Sequence, residues 1–191
     1  MRFSDICFSY NTNDESDIKV VFANFSLELP DSGVTALAGA SGCGKTTLLR
    51  LLAGLEKPDS GEICGQPAPQ DIAFMFQENR LLPGLTAVKQ VQLVLPPGEN
   101  ALAWLEKVGL GDDADRLPGE LSGGMQRRVA LARALAFSEK KKLLLLDEPF
   151  VGIDPVRVRE LMVHIRAVGV PVILTTHDSM VLGLADRVTE V

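Results

Sequence analysis

Gly39-Ala40-Ser41-Gly42-Cys43-Gly44-Lys45-Thr46 constrains the fold more than any other stretch of this 191-residue chain. It fits the pattern GxxxxGK[ST] in full. Apolar Val34-Thr35-Ala36-Leu37-Ala38 precedes it and Thr47-Leu48-Leu49 follows, so a buried strand, a tight turn and a helix over 46–53 are expected in succession. Glycines let the backbone curl until successive N–H groups face inward, where they cradle phosphate oxygens. The helix that follows points its positive end at the same place. Lys45 then reaches the β- and γ-phosphates, and the Thr46 hydroxyl is a ligand for Mg²⁺. A chance lysine in a glycine-rich turn is the bland alternative, and the strand–turn–helix context opposes it. Cys43 inside the loop reads as a small tolerated side chain, with an activated thiolate as the sharper alternative.

A second feature belongs with the first. Leu143-Leu144-Leu145-Leu146 runs straight into Asp147-Glu148-Pro149. Four apolar residues make a fully buried strand, and the acids sit at its carboxyl end, where ligands bind in open α/β sheets. Asp147 suits a hold on Mg²⁺, and Glu148 is placed to orient or deprotonate an attacking water.

Between these points the chain alternates strand and helix. Strands are expected at 20–22, 25–29, 71–76, 170–175 and 187–191, and helices at 101–108, 123–137, 156–168 and 179–185. Turns fall at 30–33 and 57–61. Such alternation implies an α/β fold with a mostly parallel sheet and helices on both faces. The helical middle, about 78–137, reads as an insertion into that core. Trp104 is expected in the core of the insertion, His164 as a structural or exposed residue, and Lys140-Lys141-Lys142 as a solvated loop.

Composition narrows the setting. A net charge of −6 disfavours nucleic acid, so no such partner is expected. Cys7, Cys43 and Cys64 lie far apart without metal-ligand spacing, which reads as free thiols in a reducing compartment. The start, Met1-Arg2-Phe3-Ser4-Asp5, lacks the apolar core of a secretion signal, and no apolar run approaches the ~20 residues of a membrane helix. A cytoplasmic chain is expected, with any membrane role supplied by a partner.

Leu121-Ser122-Gly123-Gly124-Met125-Gln126-Arg127-Arg128 adds a second anion-seeking helix start, with Ser122 as N-cap and Gly123 and Gly124 leaving the backbone open. One γ-phosphate cannot readily occupy both starts within a monomer, so the second is available to a neighbour's nucleotide. With these residues in order, the chain resembles the nucleotide-binding subunits of ATP-binding cassette transporters, whose signature runs Leu-Ser-Gly-Gly-Gln. The resemblance spans nearly the whole length. It implies a P-loop NTPase core, an N-terminal antiparallel β part and the inserted helical subdomain, in one domain over 1–191.

The resemblance also implies roles. Gln77 falls at the loop that touches Mg²⁺ or water and senses a membrane partner. Asp154 falls at the loop bridging two protomers, His177 at the histidine contacting the γ-phosphate, and Tyr10 at the aromatic that stacks on adenine. Residues 76–86 resemble the same stretch in bacterial importer subunits of the nitrate, sulfonate and taurine group. The implied machine holds two ATP molecules between two such subunits, as homodimer or heterodimer. It docks on a transmembrane permease at the inner face of the cell membrane. Met125 departs from the signature's glutamine, and Val151-Gly152-Ile153 is an unusual lead-in to Asp154. The chain ends at Val191, so regulation through a C-terminal domain is not expected. A soluble or division-associated cassette ATPase is the alternative; a small-molecule kinase is opposed by Ser122 and His177.

Overall fold

A computed structural model describes residues 1–11 and 18–191. The strands, in chain order, are β1 (Arg2–Asn11), β2 (Ile18–Glu28), β3 (Val34–Ala38), β4 (Ser60–Cys64), β5 (Ile72–Met75), β6 (Leu143–Leu146), β7 (Val172–Thr175) and β8 (Arg187–Glu190). The helices are α1 (Lys45–Leu52), α2 (Ala87–Gln92), α3 (Ala101–Lys107), α4 (Gly123–Ser138), α5 (Pro155–Arg166) and α6 (Ser179–Leu184).

Two sheets form. The larger has the order β5-β6-β7-β3-β8, and each neighbouring pair is parallel. Its central strands are apolar throughout because both faces are covered. In β6, Leu143 and Leu145 point to one face and Leu144 and Leu146 to the other, all four fully buried. One face packs against α1 through Leu48, Leu49, Leu51 and Leu52, and against Phe3, Ile6 and Phe8 of the smaller sheet. The other face packs against α4, α5 and α6 through residues such as Leu131, Leu135, Leu161, Ile165 and Val181. Each buried leucine contributes roughly 1.5–3 kcal/mol relative to exposure, so this three-layer stack is where the hydrophobic stabilisation lies.

The smaller sheet is antiparallel, in the order β2-β1-β4. Two of its strands depart from the sequence expectation. β1 escapes an alternation test because its register shifts between Phe3 and Ile6, where Asp5 has φ 51°. The buried residues Phe3, Ile6 and Phe8 are therefore spaced by three and then two. In β4, Ser60 and Gly61 open a strand rather than ending a turn; Ser60 pairs with Cys7, and Gly61 lies against the bulged backbone at Ser4 and Asp5. Helix α2 also went unread; at six residues it is too short to show a helical period.

The helical stretch between β5 and β6 shares its core with the sheet, since Val91, Leu105 and Val108 lie in the same apolar cluster as Met75, Leu144 and Leu146. Trp104 is only half-buried at its edge, with the Lys107 ammonium 3.6 Å from its ring centre, so the expectation of a core tryptophan is corrected. An amphipathic ring covered by a cation is stable at such a rim without full burial. Lys140 and Lys142 are exposed, and Lys142 pairs with Asp71 at 2.8 Å.

Parallel pairing has one consequence for function. The carboxyl ends of β3, β5, β6 and β7 all emerge at the same edge. Whatever these four strands deliver arrives together.

Candidate functional site

At that edge a cavity of about 300 Å³ is lined by Tyr10, Ser41, Gly42, Gly44, Lys45, Thr46, Thr47, Gln77, Asp147, Glu148 and His177, with Lys19, Val21 and Thr175. Residues read from separate parts of the sequence are thus gathered around one space. Gly39, Ala40 and Cys43 belong to the same loop without lining the cavity. Ser122, Gly123, Gly124 and Asp154 do not line it either.

The phosphate loop leaves β3 and enters α1 with Gly44 as N-cap at φ 110°. Only glycine fits there. A Cβ would lie 2.7 Å from the Phe22 ring and 2.9 Å from Val21, and the backbone angle itself is disfavoured for other residues. Lys45 is buried, and its ammonium donates to the carbonyls of Gly39 at 2.7 Å and Ala40 at 3.0 Å. Two of its three donors thereby hold the loop curled, and the remaining one meets only a weak sulfur acceptor. Cys43 Sγ lies 3.8 Å from the same ammonium.

Asp147 is 1 % exposed at the end of β6. Its Oδ1 accepts from the hydroxyls of Thr46 at 3.2 Å and Thr175 at 2.7 Å. The Thr175 oxygen in turn accepts from the Glu148 amide at 2.8 Å. A hydroxyl and a carboxylate at this separation form an all-oxygen donor pair, which suits Mg²⁺, a cation that takes few protein ligands and keeps its waters.

Glu148 has φ 50°, a left-handed conformation that costs a non-glycine residue about 1–2 kcal/mol. The bend turns its carboxylate towards His177, whose Nδ1 lies 3.1 Å from Glu148 Oε1. The histidine is largely exposed, while Glu148 is mostly covered. Gln77 follows β5 and is exposed at the cavity rim. Tyr10 sits edge-on to Phe8 with ring centres 4.8 Å apart, and its hydroxyl lies 3.4 Å from Thr47 Oγ1. It therefore both packs and borders the cavity.

Ser122 caps α4, accepting from the Met125 amide at 3.2 Å. Asp154 caps α5, accepting from the Arg157 amide at 3.0 Å, and this bond holds its carboxyl below the usual range. The two helix starts are neighbours, because a side chain on Gly124 would collide with the Gly152 carbonyl. This places the second anion-seeking helix start beside the loop carrying Asp154, and neither lines the cavity.

Sequence reasoning missed Arg127 and Thr175. Arg127 is 3 % exposed, and burial pushes its guanidinium down from the ordinary value against the pull of Asp147 and Glu148. A charged residue in a helix reads as solvated. Phase gave little signal, since α4 is buried all round, at Val129, Ala130, Leu131, Ala132, Ala134 and Leu135.

Comparison with known proteins agrees with this geometry. A family described as "ABC transporter" matches residues 22–151. The chain is 44 % identical over 182 residues to an aliphatic sulfonates import ATP-binding protein, SsuB 3, of Pseudomonas syringae pv. tomato, covering 88 % of this chain and 66 % of that one. It is 45 % identical over 184 residues to SsuB of Cupriavidus pinatubonensis, covering 90 % and 61 %. The chain thus spans about two thirds of the length of these curated relatives. Among solved structures, the ATP-binding cassette MJ0796 in a dimeric post-hydrolysis state with ADP and Pi superposes with TM-score 0.87 at 27 % identity, covering 100 % of this chain and 93 % of that one. A second dimeric structure of the same cassette gives TM-score 0.85. Fold, loop geometry and relatives converge, and the chain belongs to the ABC transporter family.

Proposed function

We propose that this chain binds and hydrolyses ATP in a dimer of cassettes and thereby drives a transmembrane permease, in a bacterial importer. The observation that carries the reading is the convergence of Lys45, Thr46, Gln77, Asp147, Glu148 and His177 on one cavity from four strand ends. The import role is supported by relatives that are import ATP-binding proteins. No helix among the described residues is long and apolar enough to cross a membrane. In this reading the permease is a partner protein, and the chain acts from the inner face of the cell membrane.

In this reading the loop amides and Lys45 hold the β- and γ-phosphates, and Tyr10 takes the adenine. Thr46 and Asp147 would hold Mg²⁺, with Gln77 at the rim, and the ion when bound would supply positive charge to offset that of the phosphates. Glu148 accepts a proton from the water that attacks the γ-phosphate in line. His177 orients the Glu148 carboxylate and touches the γ-phosphate. Ser122 with the amides of Gly123 and Gly124, from the second protomer, closes over that phosphate, and Asp154 bridges the two chains. Loss of the γ-phosphate removes the bridge and the dimer reopens.

Glu148→Gln keeps the shape of the side chain and removes the base. ATP hydrolysis is expected to fall by about 10²–10⁴-fold, while ATP binding persists and the protein accumulates as a dimer in size-exclusion chromatography with ATP. Wild-type turnover in this variant would contradict the assignment of Glu148.

A further inference from the structure

One guanidinium ties together the two loops that this reading makes chemically active. Arg127, on the first turns of α4, donates from Nη1 to the carbonyls of Phe76 at 2.9 Å and Gln77 at 2.7 Å, and to Asn79 Oδ1 at 3.1 Å. Its Nε donates to the Glu148 carbonyl at 3.1 Å. Its Nη2 donates to the same carbonyl at 2.8 Å and to that of Asp147. A planar fork with five N–H donors is the only side chain able to address so many acceptors at once. The side chain is buried, so these bonds are not shared with bulk water.

Both loops are held in strained conformations. Glu148 has φ 50° and Arg80 has φ 46°. Arg133, from the same helix, donates to the carbonyls of Asn79 at 2.9 Å and Arg80 at 3.0 Å. Left-handed backbone at non-glycine residues persists only where the surroundings over-determine it. Helix α4 supplies that constraint on both sides, and its own start is Ser122.

We propose that Arg127 is a positioning residue that locks the Glu148 carboxylate in place and couples it to the Gln77 loop, so that displacement of either loop, or of the Ser122 end of α4, is felt by the other. The proposal rests on the assignment of Glu148 and Gln77 above. Arg127 does not line the cavity; it acts through the two backbones it binds.

The test compares wild-type protein with Arg127→Met, which removes every donor, and Arg127→Lys, which keeps the charge and loses the fork. ATP affinity, kcat and melting temperature are measured together with amide hydrogen exchange over residues 76–80 and 147–151. In Arg127→Met, kcat is expected to drop about 10²-fold through misplacement of the base, with ATP affinity at the wild-type value. Exchange should rise in both segments together. Arg127→Lys should recover melting temperature but not kcat. Unchanged kcat, exchange rising in neither segment or only one, or full rescue by lysine would overturn the proposal. So would loss of ATP affinity and melting temperature in step with kcat, the pattern of a merely structural residue. If Arg127→Met does not fold, Arg127→Lys carries the same measurements. Should wild-type protein fail to hydrolyse ATP, the functional reading falls, and the exchange pattern still decides whether Arg127 joins the two loops.

Discussion

At the scale of single residues, the site depends on backbone angles that side chains alone do not reveal. Gly44 at φ 110° brings the start of α1 against Phe22 and Val21, and this contact sets the curl of the loop around Lys45. Gly44→Ala adds one methyl group in a space already filled and at an angle that alanine resists. Binding of a fluorescent ATP analogue is expected to be lost while the far-ultraviolet circular dichroism stays native; wild-type affinity in that variant would show that the curl is not required. Lys45 and Thr46 were legible from sequence because short-range geometry fixes the spacing of the motif that carries them. Arg127 and Thr175 were not, because their partners lie on other elements. Arg127 reaches the ends of β5 and β6, some fifty and twenty positions away, and no local pattern encodes such contacts. Glu148 lies between these cases. Its identity was readable, but its left-handed φ and its contact with His177 were not.

At the scale of elements, legibility follows burial. β3, β6 and β7 are covered on both faces and announce themselves as apolar runs. β1 and β4 belong to a bulged antiparallel sheet with a more exposed surface, so their side chains alternate poorly. Helix α4 was legible from its cap. Ser122 accepts from the Met125 amide, and replacing it by alanine should lower stability by about 1 kcal/mol. If Ser122 also meets a partner's γ-phosphate, Ser122→Ala should reduce ATP turnover far beyond what that small loss of stability explains. Thermal unfolding and steady-state hydrolysis on the same preparation separate the two. Turnover equal to wild type would reduce Ser122 to a helix cap.

At the scale of the whole molecule, the residues of the proposed site fall into two sets. Lys45, Gln77, Asp147, Glu148 and His177 line one cavity, whereas Ser122, Gly123, Gly124 and Asp154 cluster near the Gly124–Gly152 contact and do not line it. In the proposed reading the site needs both sets and is completed by two chains facing each other head to tail. One chain from each of two dimeric structures of a similar cassette superposes on this chain across its full length. The net charge of −6 leaves such pairing to specific contacts rather than to a polyanion scaffold. The most direct test is the rate of ATP hydrolysis per chain, measured over a protein concentration range that spans monomer to dimer by analytical ultracentrifugation. The rate per chain should rise with concentration and level off as the dimer saturates. A constant rate per chain across that range would mean that one chain is a complete catalyst, and would contradict the paired site.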